Sequence, residues 1–146
     1  MTSSIEMVAQ KYRGLRCNSI ADGLADLLRQ AEANEVSYLE FADHLVEHEQ
    51  QQRNRKRINL NLRKAGFPVT KRLEEFDYRH QTTITKRQVN QLLDFSFLDE
   101  RANLIFIGPP GVGKTHLAIG IGHQAIDAGY KVLFSSALSL VETLEL

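Results

Sequence analysis

Leu104-Ile-Phe-Ile-Gly-Pro-Pro-Gly-Val-Gly-Lys-Thr115 predicts the fold of this chain. Its last eight residues, Gly108 to Thr115, fit the pattern G-x-x-x-x-G-K-[ST] of phosphate-binding loops. The four apolar residues before Gly108 are typical of a buried parallel strand. An amphipathic helical pattern starts near Lys114. A strand, a glycine-rich turn and a helix in this order predict an α/β domain with a parallel sheet.

The residue types of this loop suit the binding of a nucleotide phosphate. Its glycines let the backbone adopt positive φ and approach a ligand closely. Successive N–H groups and the positive end of the following helix attract an anion. The Lys114 ammonium would reach the β- and γ-phosphates, and the Thr115 hydroxyl would bind Mg²⁺. The predicted nucleotide-binding residues are Gly108, Pro109, Pro110, Gly111, Val112, Gly113, Lys114 and Thr115.

Length and composition leave room for one ordinary domain or two small ones. The chain has 146 residues, of which 42% are apolar, so it can form a real core. No apolar run approaches the ~20 residues of a membrane span, and the first residues do not resemble a signal peptide. Cys17 is the only cysteine and cannot form an internal disulfide. A reducing cytoplasm is therefore the expected setting.

The formal charge is unevenly distributed along the chain. Residues 1–50 carry a balance of −5, residues 51–90 a balance of +8 and residues 91–146 a balance of −3. A concentrated positive segment suggests contact with a polyanion such as double-stranded DNA, although a basic helix is often only a solvated face. No base-reading module is recognisable. The candidate DNA contacts are Arg53, Arg57, Arg63, Lys64, Lys71 and Arg72.

Helical patterns fill the first hundred residues. Apolar spacing predicts a helix after a cap at Asn18 or Ser19. Ser37-Tyr-Leu-Glu40 forms a capping box that opens a helix running to Ala65, before the stop signals Gly66 and Pro68. Shorter helices are predicted over 70–79 and 85–94. We therefore expect a helical domain over residues 1–98 and an incomplete nucleotide-binding domain over residues 99–146.

One further motif has a simple explanation. His44-Leu-Val-Glu47-His48 matches the H-x-x-E-H pattern of some zinc peptidases. The two histidines lie four residues apart on one helix face, but no third ligand is evident. A solvated helix face explains this short pattern better than a zinc site.

Two blocks of sequence resemble a known family. The similarity is to the IstB/DnaC family, and the two blocks that carry it are Asn103-Leu-Ile-Phe-Ile-Gly-Pro-Pro-Gly-Val-Gly-Lys-Thr-His-Leu-Ala118 and Ala128-Gly-Tyr-Lys-Val-Leu-Phe134. The helical N-terminal half is similar as well. The resemblance implies an AAA+ ATPase that uses ATP and Mg²⁺, assembles on DNA and works with the transposase of an insertion sequence. It also implies a homo-oligomer for the full-length family.

The acidic residues after the loop depart from the family pattern. They are only Asp127, Glu142 and Glu145, and none can be assigned as the acid that places metal or water for hydrolysis. No catalytic residue is therefore predicted, and we expect an N-terminal fragment with weak ATP binding and negligible hydrolysis. The alternatives are a non-enzymatic DNA- or protein-binding module using residues 51–90, a helicase-loader-like ATPase of DNA replication and an unrelated P-loop protein.

Overall fold

The chain is built from helices. A computed structural model describes residues 3–81 and 83–145. Two short 3₁₀ turns, Leu73–Glu75 and Tyr78–His80, precede α4. The α-helices are α1 (Ser4–Gly14), α2 (Asn18–Ala33), α3 (Tyr38–Ala65), α4 (Lys86–Leu92), α5 (Ser96–Asp99), α6 (Lys114–Asp127) and α7 (Ala137–Leu144).

The predicted α/β fold with a parallel sheet is wrong for the part of the chain that the structure describes. Residues 104–107 and 131–135 have no regular secondary structure, and no described residue belongs to a strand. Phe106 packs against α6 from this segment, whereas Ile105 and Ile107 are 76% and 91% exposed. A strand requires hydrogen bonds to a neighbouring strand. Within the described residues neither segment has one, so apolar sequence alone does not make a sheet.

The chain divides into two compact units between Arg57 and Ile58. The division falls within α3, which contributes residues to both units. The domain boundary expected near residue 98 stays a prediction.

The first unit is a helical cluster with its own core. Five buried residues form one cluster: Ala9 of α1, Ile20, Ala21 and Leu24 of α2, and Leu45 of α3. The spacing of Ile20, Ala21 and Leu24 places them on one face of α2, and this apolar spacing is what predicts α2 from the sequence. The capping box at Ser37 and Glu40 is confirmed by reciprocal bonds of 2.8 and 3.2 Å.

The first turn of α2 is capped from another helix. The predicted cap at Asn18 or Ser19 is wrong, because α2 begins at Asn18 and no side chain caps it locally. Instead the Glu49 carboxylate of α3 accepts a hydrogen bond from the Ile20 N–H at 2.9 Å. Arg53 donates from Nε to the other oxygen of Glu49, also at 2.9 Å. Burial opposes ionisation of Glu49, yet these two bonds keep its pKa below the ordinary value.

The second unit is organised around α6. Eight of the 14 residues of α6 are buried, including Ile119 and Ile126, which are fully buried. The linker between α3 and α4, residues 66–85, contributes apolar side chains that lie directly on glycines of α6. A Cβ at Gly120 would lie 2.6 Å from Leu73 Cδ2, and one at Gly122 would lie 2.8 Å from Phe67 Cζ. Glycine at these positions therefore lets the linker approach the helix backbone.

Gly120→Ala tests this close approach. Alanine favours a helix by about 1 kcal/mol over glycine, but overpacking against Leu73 should cost more, about 1–3 kcal/mol. We expect a net loss of stability in urea-induced unfolding followed by circular dichroism.

Gly14→Ala is the matched control, because Gly14 is also helical and has open space around the added Cβ. This variant should be as stable as the wild type or slightly more stable. Equal stabilisation by both substitutions would show that the linker does not restrict α6.

Acid should weaken the second unit through His123. This side chain of α6 is buried and stacked on Phe67 with ring centroids 4.7 Å apart, and its Nε2 atom has no partner among the described residues. Burial lowers the pKa of His123; the charge of Arg72 lowers it further and that of Asp127 raises it. Because the folded pKa lies below the unfolded value of about 6.5, the unfolded state takes up the proton first as the pH falls.

We therefore expect unfolding midpoints that are constant above pH 7 and decrease as the pH falls through 6.5. His123→Leu should flatten this part of the profile. His44→Leu, which removes an exposed histidine, should leave it unchanged. A wild-type profile that is retained in His123→Leu would contradict the assignment.

Candidate nucleotide-binding site

The glycine-rich loop forms a preorganised turn in front of α6. Gly111 and Gly113 have φ of +83° and +97°, the left-handed values that favour glycine. Gly113 is the N-cap of α6 and has no side chain to cap it. In the described part of the chain, the N–H groups of Lys114, Thr115 and His116 have no hydrogen-bond acceptor. Three free donors at a helix start suit an anion.

Lys114 lies inside the loop. Its Nζ donates to the carbonyl oxygens of Gly108 at 2.8 Å and Pro109 at 2.7 Å. The ammonium therefore lies at the open side of the turn, held by the loop's own backbone. Thr115 is exposed in the first turn of α6, where its hydroxyl is accessible to a ligand. This donor set fits a phosphate group with a metal ion beside it.

The linker after α3 supports the loop from behind. A Cβ at Gly113 would lie 2.5 Å from Phe76 Cε2, so the Phe76 ring lies directly against the loop. The same ring meets His116 edge-on, with centroids 5.2 Å apart. His116 Nε2 lies 2.7 Å from the Arg72 carbonyl oxygen, within hydrogen-bonding distance. The sequence alone did not identify Phe76 or His116 as loop supports, because nothing in their local pattern differs from ordinary packing residues.

An open cleft of about 450 Å³ adjoins the loop. One side consists of the loop and the segment before it, including Pro109 and Lys114. The other side comes from α4 and the residues before it. The residues on that side are Gln81, Thr83, Ile84, Gln88 and Leu92. The volume falls in the range of small-molecule sites.

The acidic residues after the loop lie on other parts of the second unit. Asp127 ends α6, so the helix rise of 1.5 Å per residue places it roughly 20 Å from Lys114 along the axis. Glu142 and Glu145 lie in and just after α7 and are exposed. Across residues 3–81 and 83–145, no group of three or more His, Cys, Asp or Glu side chains could hold a metal ion. Among the described residues, none of these three acids therefore belongs to a metal-holding cluster beside the loop.

The six candidate DNA contacts differ in their surroundings. Arg53 bonds to Glu49 and also donates to the Arg16 carbonyl oxygen at 2.9 Å, so it has a structural role in the first unit. Arg57 donates to Asn54. The other four have no ion pair with a carboxylate of the described residues and are exposed; they are Arg63, Lys64, Lys71 and Arg72.

The H-x-x-E-H motif is a packing feature of the first unit. His48 Nε2 lies 3.1 Å from the Ser19 carbonyl oxygen and near Gly23 of α2. His44 is exposed. The predicted solvated helix face therefore fits His44 but is wrong for His48, which is partly buried against α2.

No helix in the described ranges is long and apolar enough to cross a membrane.

Comparison with known proteins gives a consistent set of relatives. The chain is 37% identical over 139 residues to the "Insertion sequence IS5376 putative ATP-binding protein" of Geobacillus stearothermophilus, covering 95% of this chain and 55% of that protein. It is 38% identical over 130 residues to the "Insertion sequence IS21 putative ATP-binding protein" of Pseudomonas aeruginosa, covering 89% and 49%. The chain thus spans about half the length of these relatives.

A family model described as "IstB-like ATP binding protein" matches residues 10–146, which include both the helical half and the glycine-rich loop. The resemblance noted from the two sequence blocks is thereby confirmed. Since the match covers nearly the whole chain, the protein belongs to the IstB-like ATP-binding family.

Proposed function

We propose that the loop 108–115 binds ATP with Mg²⁺ and that the chain acts as an ATP-binding helper of an insertion sequence. The observation that carries this is the set of free N–H groups at the start of α6 beside the Lys114 ammonium. A triphosphate would accept hydrogen bonds from these donors, and Lys114 would exchange its two loop carbonyls for phosphate oxygens. Mg²⁺ would neutralise phosphate charge, with the Thr115 hydroxyl as its protein ligand.

The cleft beside the loop suits the rest of the nucleotide. Its lining combines apolar side chains such as Ile84 and Leu92 with the amides of Gln81 and Gln88. An adenine ring needs apolar contact on its faces and a few polar groups at its edge. We infer that the base and ribose occupy this cleft while the phosphates lie on the loop.

Lys114→Ala should remove most of the ATP affinity. Loss of the ammonium that faces the β- and γ-phosphates removes charge-assisted bonds worth about 1.5–3 kcal/mol, or roughly 10- to 150-fold in Kd. Isothermal titration calorimetry with Mg-ATP measures this. The wild type should bind ATP more tightly with Mg²⁺ than with EDTA. In Thr115→Ala the ATP affinity should be the same under both conditions, because the hydroxyl that binds Mg²⁺ is missing.

Lys11→Ala is the control for the change in charge, because Lys11 lies on α1, in the first unit. It should bind Mg-ATP as the wild type does. Equal binding by wild type and Lys114→Ala would exclude the loop as the site.

We further propose that the basic segment 51–90 contacts double-stranded DNA. Support comes from the exposed cations Arg63, Lys64, Lys71 and Arg72, whose charges no neighbouring carboxylate in the described residues neutralises. Lys and Arg side chains of this kind bind backbone phosphates and release counterions, without reading base sequence. The expected contribution of Arg53 is smaller, because it is engaged by Glu49.

A salt series of duplex binding measured by fluorescence anisotropy separates these contributions. Replacing Arg63 or Arg72 with Gln should reduce the slope of log K against log salt by about 0.9 for each phosphate that the variant no longer neutralises. Arg53→Gln should change the slope less and should lower the melting temperature, because Glu49 loses its partner. Absence of duplex binding at low salt would end the DNA proposal.

The remaining proposals concern the protein partners and the cellular setting. Because both relatives named above are described as proteins of insertion sequences, we propose the transposase of the same element as a protein partner. We also propose that full-length members of the family form homo-oligomers. The expected setting is the reducing cytoplasm, since Cys17 has no second cysteine to pair with. Co-purification with the transposase, in the presence and absence of ATP, tests the partner.

A further inference from the structure

The side chain of His116 joins the start of α6 to the linker between α3 and α4. His116 is the third residue of α6, and its N–H is one of the donors there that have no acceptor among the described residues. Its Nε2 atom lies 2.7 Å from the carbonyl oxygen of Arg72. Because a carbonyl oxygen only accepts, Nε2 must carry the proton of this hydrogen bond. His116 therefore offers its backbone to a ligand and its side chain to the linker.

The ring of Phe76 holds His116 from a second side. Phe76 is buried, and its ring meets the imidazole edge-on, with centroids 5.2 Å apart. The same ring lies against Gly113, where an added Cβ would come within 2.5 Å of Cε2. Phe76 also belongs to one buried cluster with Val89 of α4 and Leu117 of α6. The linker thus contacts the turn from which the free N–H groups project both at its glycine and at its histidine.

These contacts supply a rigidity that the loop sequence lacks. Backbone N–H groups bind an anion well when they already converge, because a turn that must be ordered on binding costs free energy. Gly111 and Gly113 have positive φ, and glycine is the residue with the greatest backbone freedom. The loop by itself would therefore lose much entropy on binding. Restriction of its last residues by the linker reduces that loss.

We propose that His116 is a positioning residue for the nucleotide, and that it couples occupancy of the loop to docking of the linker. The inference rests on the proposed binding of ATP at residues 108–115 and deepens it. If the docked linker raises the affinity of the loop, a bound nucleotide must favour the docked linker by the same factor. The linker, residues 66–85, is then a part of the second unit that responds to the nucleotide.

His116→Gln and His116→Asn form a matched pair that tests the side chain. The amide nitrogen of Gln can occupy the position of Nε2 and donate to Arg72, whereas the shorter Asn side chain does not reach that far. We expect His116→Asn to weaken Mg-ATP binding roughly two- to tenfold, which corresponds to one ordinary hydrogen bond. His116→Gln should bind as the wild type does. Isothermal titration calorimetry on the full chain measures Kd, and a thermal melt compares folding.

This pair distinguishes positioning from a general loss of stability. A variant that is folded at the temperature of the titration keeps its Kd even if its melting temperature falls, unless the loop itself has changed. His44→Asn makes the same substitution at an exposed histidine of α3, in the first unit. It should leave Mg-ATP binding unchanged.

Amide hydrogen exchange tests the coupling in the wild type. The Glu75 N–H donates to the Arg72 carbonyl oxygen at 3.2 Å, within the turn that His116 contacts, so this amide reports on the docked linker. Saturating Mg-ATP should slow its exchange several-fold. The internal control is the Ala128 N–H, which donates to Gln124 at the far end of α6. Its exchange should slow less.

The outcomes separate this inference from the proposed function. A wild type that does not bind Mg-ATP overturns both. Loss of binding in Lys114→Ala with unchanged binding in His116→Asn overturns the positioning role and leaves the nucleotide site standing. Equal losses in His116→Gln and His116→Asn also overturn it, because the donor would then not matter. Equal slowing of exchange at Glu75 and Ala128 contradicts coupling through the linker. If His116→Asn does not fold, the exchange comparison in the wild type still decides.

Discussion

Contact between the linker after α3 and the glycines of α6 determines the arrangement of the second unit. Leu73 lies on Gly120 and Phe67 on Gly122, and Phe76 lies on Gly113, the residue just before α6. The approach is so close that any side chain at these glycines would push the linker away. The packing places the ring of Phe76 behind the phosphate-binding loop and the start of α6 against the Arg72 carbonyl. The geometry of the candidate site therefore depends on residues that lie about 40 positions earlier in the chain.

The loop that results presents hydrogen-bond donors and a positive charge that suit an anion. Its donors are backbone N–H groups and one ammonium, all of which are fixed before a ligand arrives. Such preorganisation reduces the cost of ordering on binding. Hydrolysis also needs groups that place water and metal, and among the described residues no cluster of three or more His, Cys, Asp or Glu side chains could hold a metal ion.

The sequence predicted most of what depends on local pattern. Helices α2 and α3, the capping box at Ser37 and the loop before α6 all follow from spacing and cap chemistry. The sheet was predicted wrongly, because whether Ile105 and Ile107 form a strand depends on neighbours that no local pattern reveals. The cap of α2 was missed for a related reason, since Glu49 comes from another helix. The tertiary structure is also needed to tell which basic residues already bond to a carboxylate, as Arg53 does to Glu49.

The capping of α2 by Glu49 has a consequence for the order in which the chain can fold during synthesis. Glu49 follows Ile20 by 29 residues, which a ribosome adds in roughly two to six seconds. Until then the first turn of α2 has only water to satisfy its N–H groups. The cap adds about 1 kcal/mol to α2 only after the middle of α3 has been made, so the stability of α2 on the nascent chain should increase when Glu49 becomes available.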